Sequence, residues 1–151
     1  MAVARVPHAA ETLGLFTALS AVVLGVTLYA ITREAGRDVA LLGLACRIVE
    51  AAPGDGTFFF AVASTAFAWL LLRGRMIPAA LAWLGLVASA LLVALIPAQQ
   101  FGLLGGPMNW SSTATWIAWL PMLVYEIGLG LWLLVRGARP FVPVAGESGN
   151  P

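Results

Sequence analysis

Arg47 and Glu50 lie inside the apolar run Val39–Ala52, VALLGLACRIVEAA, where a membrane helix normally carries no charge. An ionisable side chain in hydrocarbon costs roughly 2.5–3.5 kcal/mol on insertion scales, so it turns toward the bundle interior and takes a partner. The two residues are three apart and share a helix face. That face also collects Ala40, Gly43, Leu44 and Ala51, while Leu41, Leu42, Ala45, Ile48, Val49 and Ala52 fall opposite. The first side reads as packing against protein and the second as touching lipid.

A third charge, Glu126, sits inside the later run Ala114–Val135. Its depth can be counted, because Arg37 and Arg136 mark one end of the two runs. Arg47 lies ten residues beyond Arg37, and Glu126 ten before Arg136. At about 1.5 Å per residue both are roughly 15 Å deep, the midplane of a core about 30 Å thick. Opposite charges at one depth on two helices invite pairing. Glu50, about one turn further out, competes for Arg47. Ser64 and Thr65 reach a similar depth and can add hydrogen bonds.

Two kinds of chemistry follow. Arg47 can bind an anionic group, or Glu50 and Glu126 can relay protons, since intramembrane ionisable residues mark substrate paths. In the structural alternative the pair locates one helix against another, a contact worth about 0.6 kcal/mol on average between membrane helices. The structural reading stands somewhat ahead, because few other polar residues lie at depth to line a continuous path.

The elements that must position these residues are apolar helices. The chain has 151 residues, 61% of them hydrophobic and 10% charged, against about 25% charged in a soluble domain. Its mean hydropathy is +0.94. Such a chain cannot cover a water-facing surface and is expected to be an integral membrane protein, all-α, with the lipid bilayer as its first partner. Five spans are predicted, at about 13–31, 39–52, 57–72, 78–96 and 114–135, between a tail at 1–12 and a Pro/Gly-rich disordered tail at 137–151. Leu13–Ile31 exceeds the roughly 7–15 residues of a signal-peptide core and is read as a retained helix. Pro53-Gly54-Asp55-Gly56 ends the second span sharply. The longest loop, Pro97–Thr113, carries Gly102, Gly105, Gly106 and Pro107.

The second span is short enough to be re-entrant instead. Basic residues decide the reading, because cytoplasmic loops collect them. With five spans Arg33, Arg37, Arg73, Arg75, Arg136 and Arg139 share one side and Arg5 alone takes the other. The N-terminus is therefore expected outside and the C-terminus in the cytoplasm. Trp110 and Trp116 near the outer edge, and Trp69 and Trp132 near the inner one, suit an interfacial belt. Ala82, Gly85 and Ser89 give the fourth span a face of small residues that permits close helix approach. All eight basic residues are Arg, which with abundant Ala and Gly suggests a bacterial source and the plasma membrane.

Other signals exclude more than they offer. The single Cys46 rules out an internal disulfide or CxxC site. His8 has no Cys or carboxylate cluster to make a metal site, and no Ser/His/Asp set can be assembled. Gly54-Asp55-Gly56 opens no nucleotide fold, so no cofactor and no nucleic-acid partner are expected. Asn109-Trp110-Ser111 matches a glycosylation pattern that has no meaning in a bacterial protein. Tyr125, beside Glu126, points to a different face and is expected to pack.

Several segments resemble a bacterial membrane family known as domain of unknown function 4386. They are the Arg47-x-x-Glu50-Ala51 helix; Arg73-x-Arg75-x-Ile77-Pro78 leading into Leu81-x-x-Leu84-Gly85; and Pro121…Glu126…Leu131-Trp132-Leu133-Leu134-Val135-Arg136-Gly137. The likeness runs from about Leu24 to Arg139. Members of that family are longer, with an extra N-terminal helix and a longer segment after the Arg-Glu helix, so the resemblance implies a shortened member. It implies a multi-pass membrane protein and no activity. The leading expectation is a non-enzymatic structural or regulatory module acting through helix contacts with itself or a partner membrane protein. The alternative is a small carrier or permeation subunit for an anion or protons, using Arg47, Glu50 and Glu126. A membrane enzyme comes third.

Overall fold

The computed structural model describes residues 6–103 and 113–140, and these fold into five helices. They are α1 (Val6–Thr32), α2 (Arg37–Glu50), α3 (Thr57–Arg73), α4 (Ala79–Gln100) and α5 (Thr113–Arg136). No strand occurs among the described residues. By length and composition α1, α4 and α5 can each cross a bilayer, whereas α3 is an apolar helix of 17 residues and α2 has only 14.

Several boundaries differ from the sequence reading: α2 runs Arg37–Glu50 where 39–52 was expected, and the larger differences at α1 and α4 have local reasons. Residues 6–12, expected as tail, already belong to α1. Pro7 occupies the first turn, where it is tolerated, and Ala9, Ala10 and Glu11 are strong helix formers. The fourth helix runs past Ile96 to Gln100 although Pro97 lies inside it. A proline disrupts the turn before it, and the turn after it still closes, with the Phe101 N–H donating to the Pro97 carbonyl at 2.9 Å. Gly102, at φ 73°, then ends the helix in the left-handed region. At the far end, the Arg139 N–H donates to the Met76 carbonyl at 3.0 Å, so the segment after α5 is tied to the α3–α4 turn. Residues 141–151 of the predicted disordered tail lie outside the described residues, as do Trp110 and the Asn109-Trp110-Ser111 pattern.

The bundle is built around α3. Ala61, Ala63, Ala68, Leu70 and Leu71 are fully buried between α2 on one side and α4 on the other. Small residues set the spacing, as expected where lipid removes most of the hydrophobic drive to associate. Gly43 lies against the Phe67 ring, which a Cβ would meet at 2.9 Å. Ala82 and Ser89 of α4 are fully buried, and Gly85 between them receives the Tyr125 ring of α5. Tyr125 therefore packs, as the sequence suggested.

Alpha-helix α1 lies on α2 and α3, and α5 lies on α4; α1 and α5 make no backbone contact with each other. They flank a groove whose floor is formed by α2 and α3. Their outward faces are coated with exposed Phe16, Leu19, Ile117, Leu131 and Leu134. An apolar coat of this extent suits hydrocarbon, not water. At one end of the bundle the α1–α2 connector meets α3, since Gly36 abuts Leu70 and Trp69. The tie from Arg139 to Met76 is at that end too, so Arg33, Arg37, Arg73, Arg75, Arg136 and Arg139 gather there. Arg73 stacks over Trp69 at 5.3 Å and Arg136 over Trp132 at 5.9 Å.

Candidate functional site

Arg47 is 4% exposed and occupies the floor of the α1/α5 groove. Burial of a guanidinium demands partners for charge and donors alike, and three helices supply them. Its Nη1 donates to Glu50 at 3.0 Å on the next turn of α2, and its Nη2 donates to Ser64 Oγ of α3 at 3.0 Å. Glu126 Oε1 of α5 stands 4.0 Å from Nη2, close enough for charge but too far for a hydrogen bond. The guanidinium lies over the Phe60 ring at 4.9 Å, and Phe60 stacks on Trp119 of α5 with centroids 5.7 Å apart. Gly25 of α1 seats the aliphatic stem, for a Cβ there would fall 2.8 Å from Arg47 Cβ. Arg47 Nε has no hydrogen-bond partner among the described residues.

Four of the five residues singled out by sequence, Arg47, Glu50, Ser64 and Glu126, thus come together. Thr65 does not join them. Adjacent helical residues point about 100° apart, so with Ser64 turned to Arg47 its neighbour turns away. Thr65 Oγ1 donates to the Ala61 carbonyl at 2.8 Å, and Thr65 lines a separate apolar groove with Trp69 and Leu86. Phe60, Trp119 and Gly25 belong to the site and were missed. Phe60 was findable, since it precedes Ser64 by four residues and shares its face; Gly25 left no signal. His8 falls in the first turn of α1, Cys46 is a free buried thiol, and no three-residue metal cluster occurs among the described residues.

Two cavities border this cluster, one on Glu50 and one on Arg47, Ser64 and Glu126. The larger, about 910 Å³, opens away from the arginine-rich end and is lined by Glu11, Thr17, Glu50, Phe60 and Trp119. The smaller, about 190 Å³, is lined by Leu24, Arg47, Ser64, Glu126, Leu129 and Gly130 among others. The two follow the same helix faces, because Glu50, Phe60 and Trp119 of the first lie one to two turns above Arg47, Ser64 and Glu126 of the second. Below them, Leu28, Thr32, Leu70, Leu71 and Met76 are buried and fill the arginine-rich end. The site therefore borders the groove, and buried side chains close it toward the arginine-rich end.

Fold and site together define an apolar helical bundle with one buried arginine shared by two carboxylates. The chain belongs to the family described as a domain of unknown function, DUF4386, whose model matches residues 55–137. The match covers α3 to α5, with Phe60, Ser64, Trp119 and Glu126; Arg47 and Glu50 lie before it. No curated protein and no solved structure matches the chain.

Proposed function

We propose that the protein is a non-enzymatic membrane module of the bacterial plasma membrane, with five spans, the N-terminus outside and the arginine-rich end in the cytoplasm. Its Arg47 cluster acts as a polar clamp between helices that apolar packing alone holds weakly. The observation that carries this reading is the arginine itself: 4% exposed, bonded within α2 and to α3, and paired in charge with α5. Helix contacts with a second copy or a partner protein then transmit whatever the module regulates.

The carrier reading keeps one supporting observation, the cavity of about 910 Å³ that descends to Glu50. Against it stand the filled arginine-rich end and a guanidinium whose charge two carboxylates already match, which leaves little pull for an anion. Reconstituted protein separates the two. The clamp reading expects no proton or anion flux in proteoliposomes and a lower melting temperature for Arg47→Leu. Flux abolished by Glu126→Gln in a protein that stays folded would overturn it.

A further inference from the structure

Among the described residues, one carboxylate of the cluster has no hydrogen bond. Glu50 receives both a hydrogen bond and the charge of Arg47 at 3.0 Å, and Ser64 takes the other guanidinium nitrogen. Glu126 remains, 39% exposed, 4.0 Å from the guanidinium, with no described residue donating to it. It faces the cavity of about 190 Å³ between α1 and α5. Glu126 brings two oxygen acceptors to otherwise apolar walls, and two carboxylates stand against the one guanidinium of the cluster. A carboxylate at this depth calls for a donor and a positive charge from outside the chain.

We infer that the inner cavity is a binding site for a small organic cation, a primary or secondary ammonium on an apolar body. The ammonium donates to Glu126 and to the free lone pair of Ser64 Oγ. Its body lies against Leu24, Leu28, Leu129 and Leu133. The size fits, since a dry cavity of about 150 Å³ holds benzene and this one is about 190 Å³. Arg47 does not repel the ligand strongly, because Glu50 holds its charge at 3.0 Å. The larger cavity, one to two turns above, is the side of entry in this proposal, and Glu50 there offers a cation a carboxylate on the way in. Gly130 lines this cavity one turn after Glu126 on the same face of α5, and a Cβ there would meet nothing within 4 Å, so a larger side chain has room to enter.

The test uses the full chain in nanodiscs of zwitterionic lipid, with empty nanodiscs as the blank, and three probes of one shape: phenethylamine, 2-phenylethanol and phenylacetate. Calorimetric titration is expected to show the amine binding at least tenfold more tightly than the alcohol, and phenylacetate weakest. Glu126→Gln should erase the preference for the amine. Gly130→Leu, which fills the cavity and touches no charge, should weaken amine binding at least tenfold, and it decides the matter should Glu126→Gln fail to fold. Equal binding of amine and alcohol would reduce the site to an apolar pocket and overturn the proposal. So would an amine preference that survives Glu126→Gln, amine binding left unchanged by Gly130→Leu, or no binding of any probe, the result expected of a cavity holding only water. The clamp is read from stability and this site from binding, so either can fail without the other.

Discussion

Arg47 has two acidic neighbours, and geometry ranks them. Glu50 sits at 3.0 Å and is 17% exposed, whereas Glu126 sits at 4.0 Å and is 39% exposed. A double-mutant cycle in thermal stability should therefore give a larger coupling for Arg47–Glu50 than for Arg47–Glu126. Removing one partner of a buried pair costs about 3–5 kcal/mol in soluble proteins, and the open groove beside Glu126 should hold the loss for Arg47→Leu to about 1–3 kcal/mol. Exchanging the charges, Arg47→Glu with Glu126→Arg, should not rescue, because the new carboxylate at 47 would face Glu50 three residues on. Rescue to near the wild-type melting temperature would restore Glu126 as the principal partner. A second residue-scale prediction concerns Asp55 at the start of α3. Its Oδ1 accepts from the Thr57 N–H at 3.1 Å and from the Thr57 hydroxyl, which holds its carboxyl below the usual range. A carboxyl lowered in the folded state adds stability that is fully present above the unfolded value of about 3.9 and is lost as pH falls through the folded value. Asp55→Asn should therefore lower stability slightly at pH 7, by less than about 1 kcal/mol, and leave it unchanged near pH 2. A loss that persists at pH 2 would assign the effect to something other than the carboxylate. At this scale the charges were legible in the sequence because a buried charge is rare and its depth can be counted. The order of the two partners was not, since counting fixes depth and says nothing about the side-chain reach across a groove.

The helices were legible where composition alternates sharply. On α2 the expected inner face holds the buried Ala40, Gly43 and Arg47, and Leu41, Leu42, Ile48 and Val49 of the other face are exposed. On α3 the same reasoning placed Ser64 and Thr65 together, and only one of them could point at Arg47. The sequence also could not say which helix lies at the centre, because α1, α3 and α4 are nearly uniformly apolar. Small residues carry that information, and they can be tested as a pair. A Cβ at Gly85 would fall 2.3 Å from the Tyr125 ring, so Gly85→Ala must displace α5 from α4 or move the ring. Overpacking typically costs about 1–3 kcal/mol, and the melting temperature should drop accordingly. Tyr125→Leu in the same chain should recover part of the loss, since the flexible leucine can yield where the ring cannot. Additive losses would show that Gly85 acts on backbone flexibility and not on the α4–α5 seam.

For the molecule as a whole, the placement of the bundle in the bilayer turns on which helices cross. Three helices have the length and composition to cross, and α2 and α3 fall short of the usual 18 residues. Two observations favour five crossings nonetheless. Successive helices pack as neighbours in chain order, and the three arginine-bearing segments after α1, α3 and α5 meet at one end of the bundle. A re-entrant α2 would set Arg73 and Arg75 opposite Arg33 and Arg37, against both the packing and the preference of arginine for the cytoplasm. The short helices need not expose polar backbone, since a bilayer thins locally around a short span at a cost of fractions of a kcal/mol per Å. Single cysteines in intact cells test this, with the buried Cys46 as the unreactive background. A cysteine at Asp55 should react with an impermeant thiol reagent, and ones at Gly74 and Gly137 should react only after the membrane is permeabilised. The reverse pattern would invert the orientation. Labelling at both Asp55 and Gly74 would remove α3 as a crossing, and protection of Asp55 with exposure of Gly74 and Gly137 would place the larger cavity, and the cation entry it serves, on the cytoplasmic face.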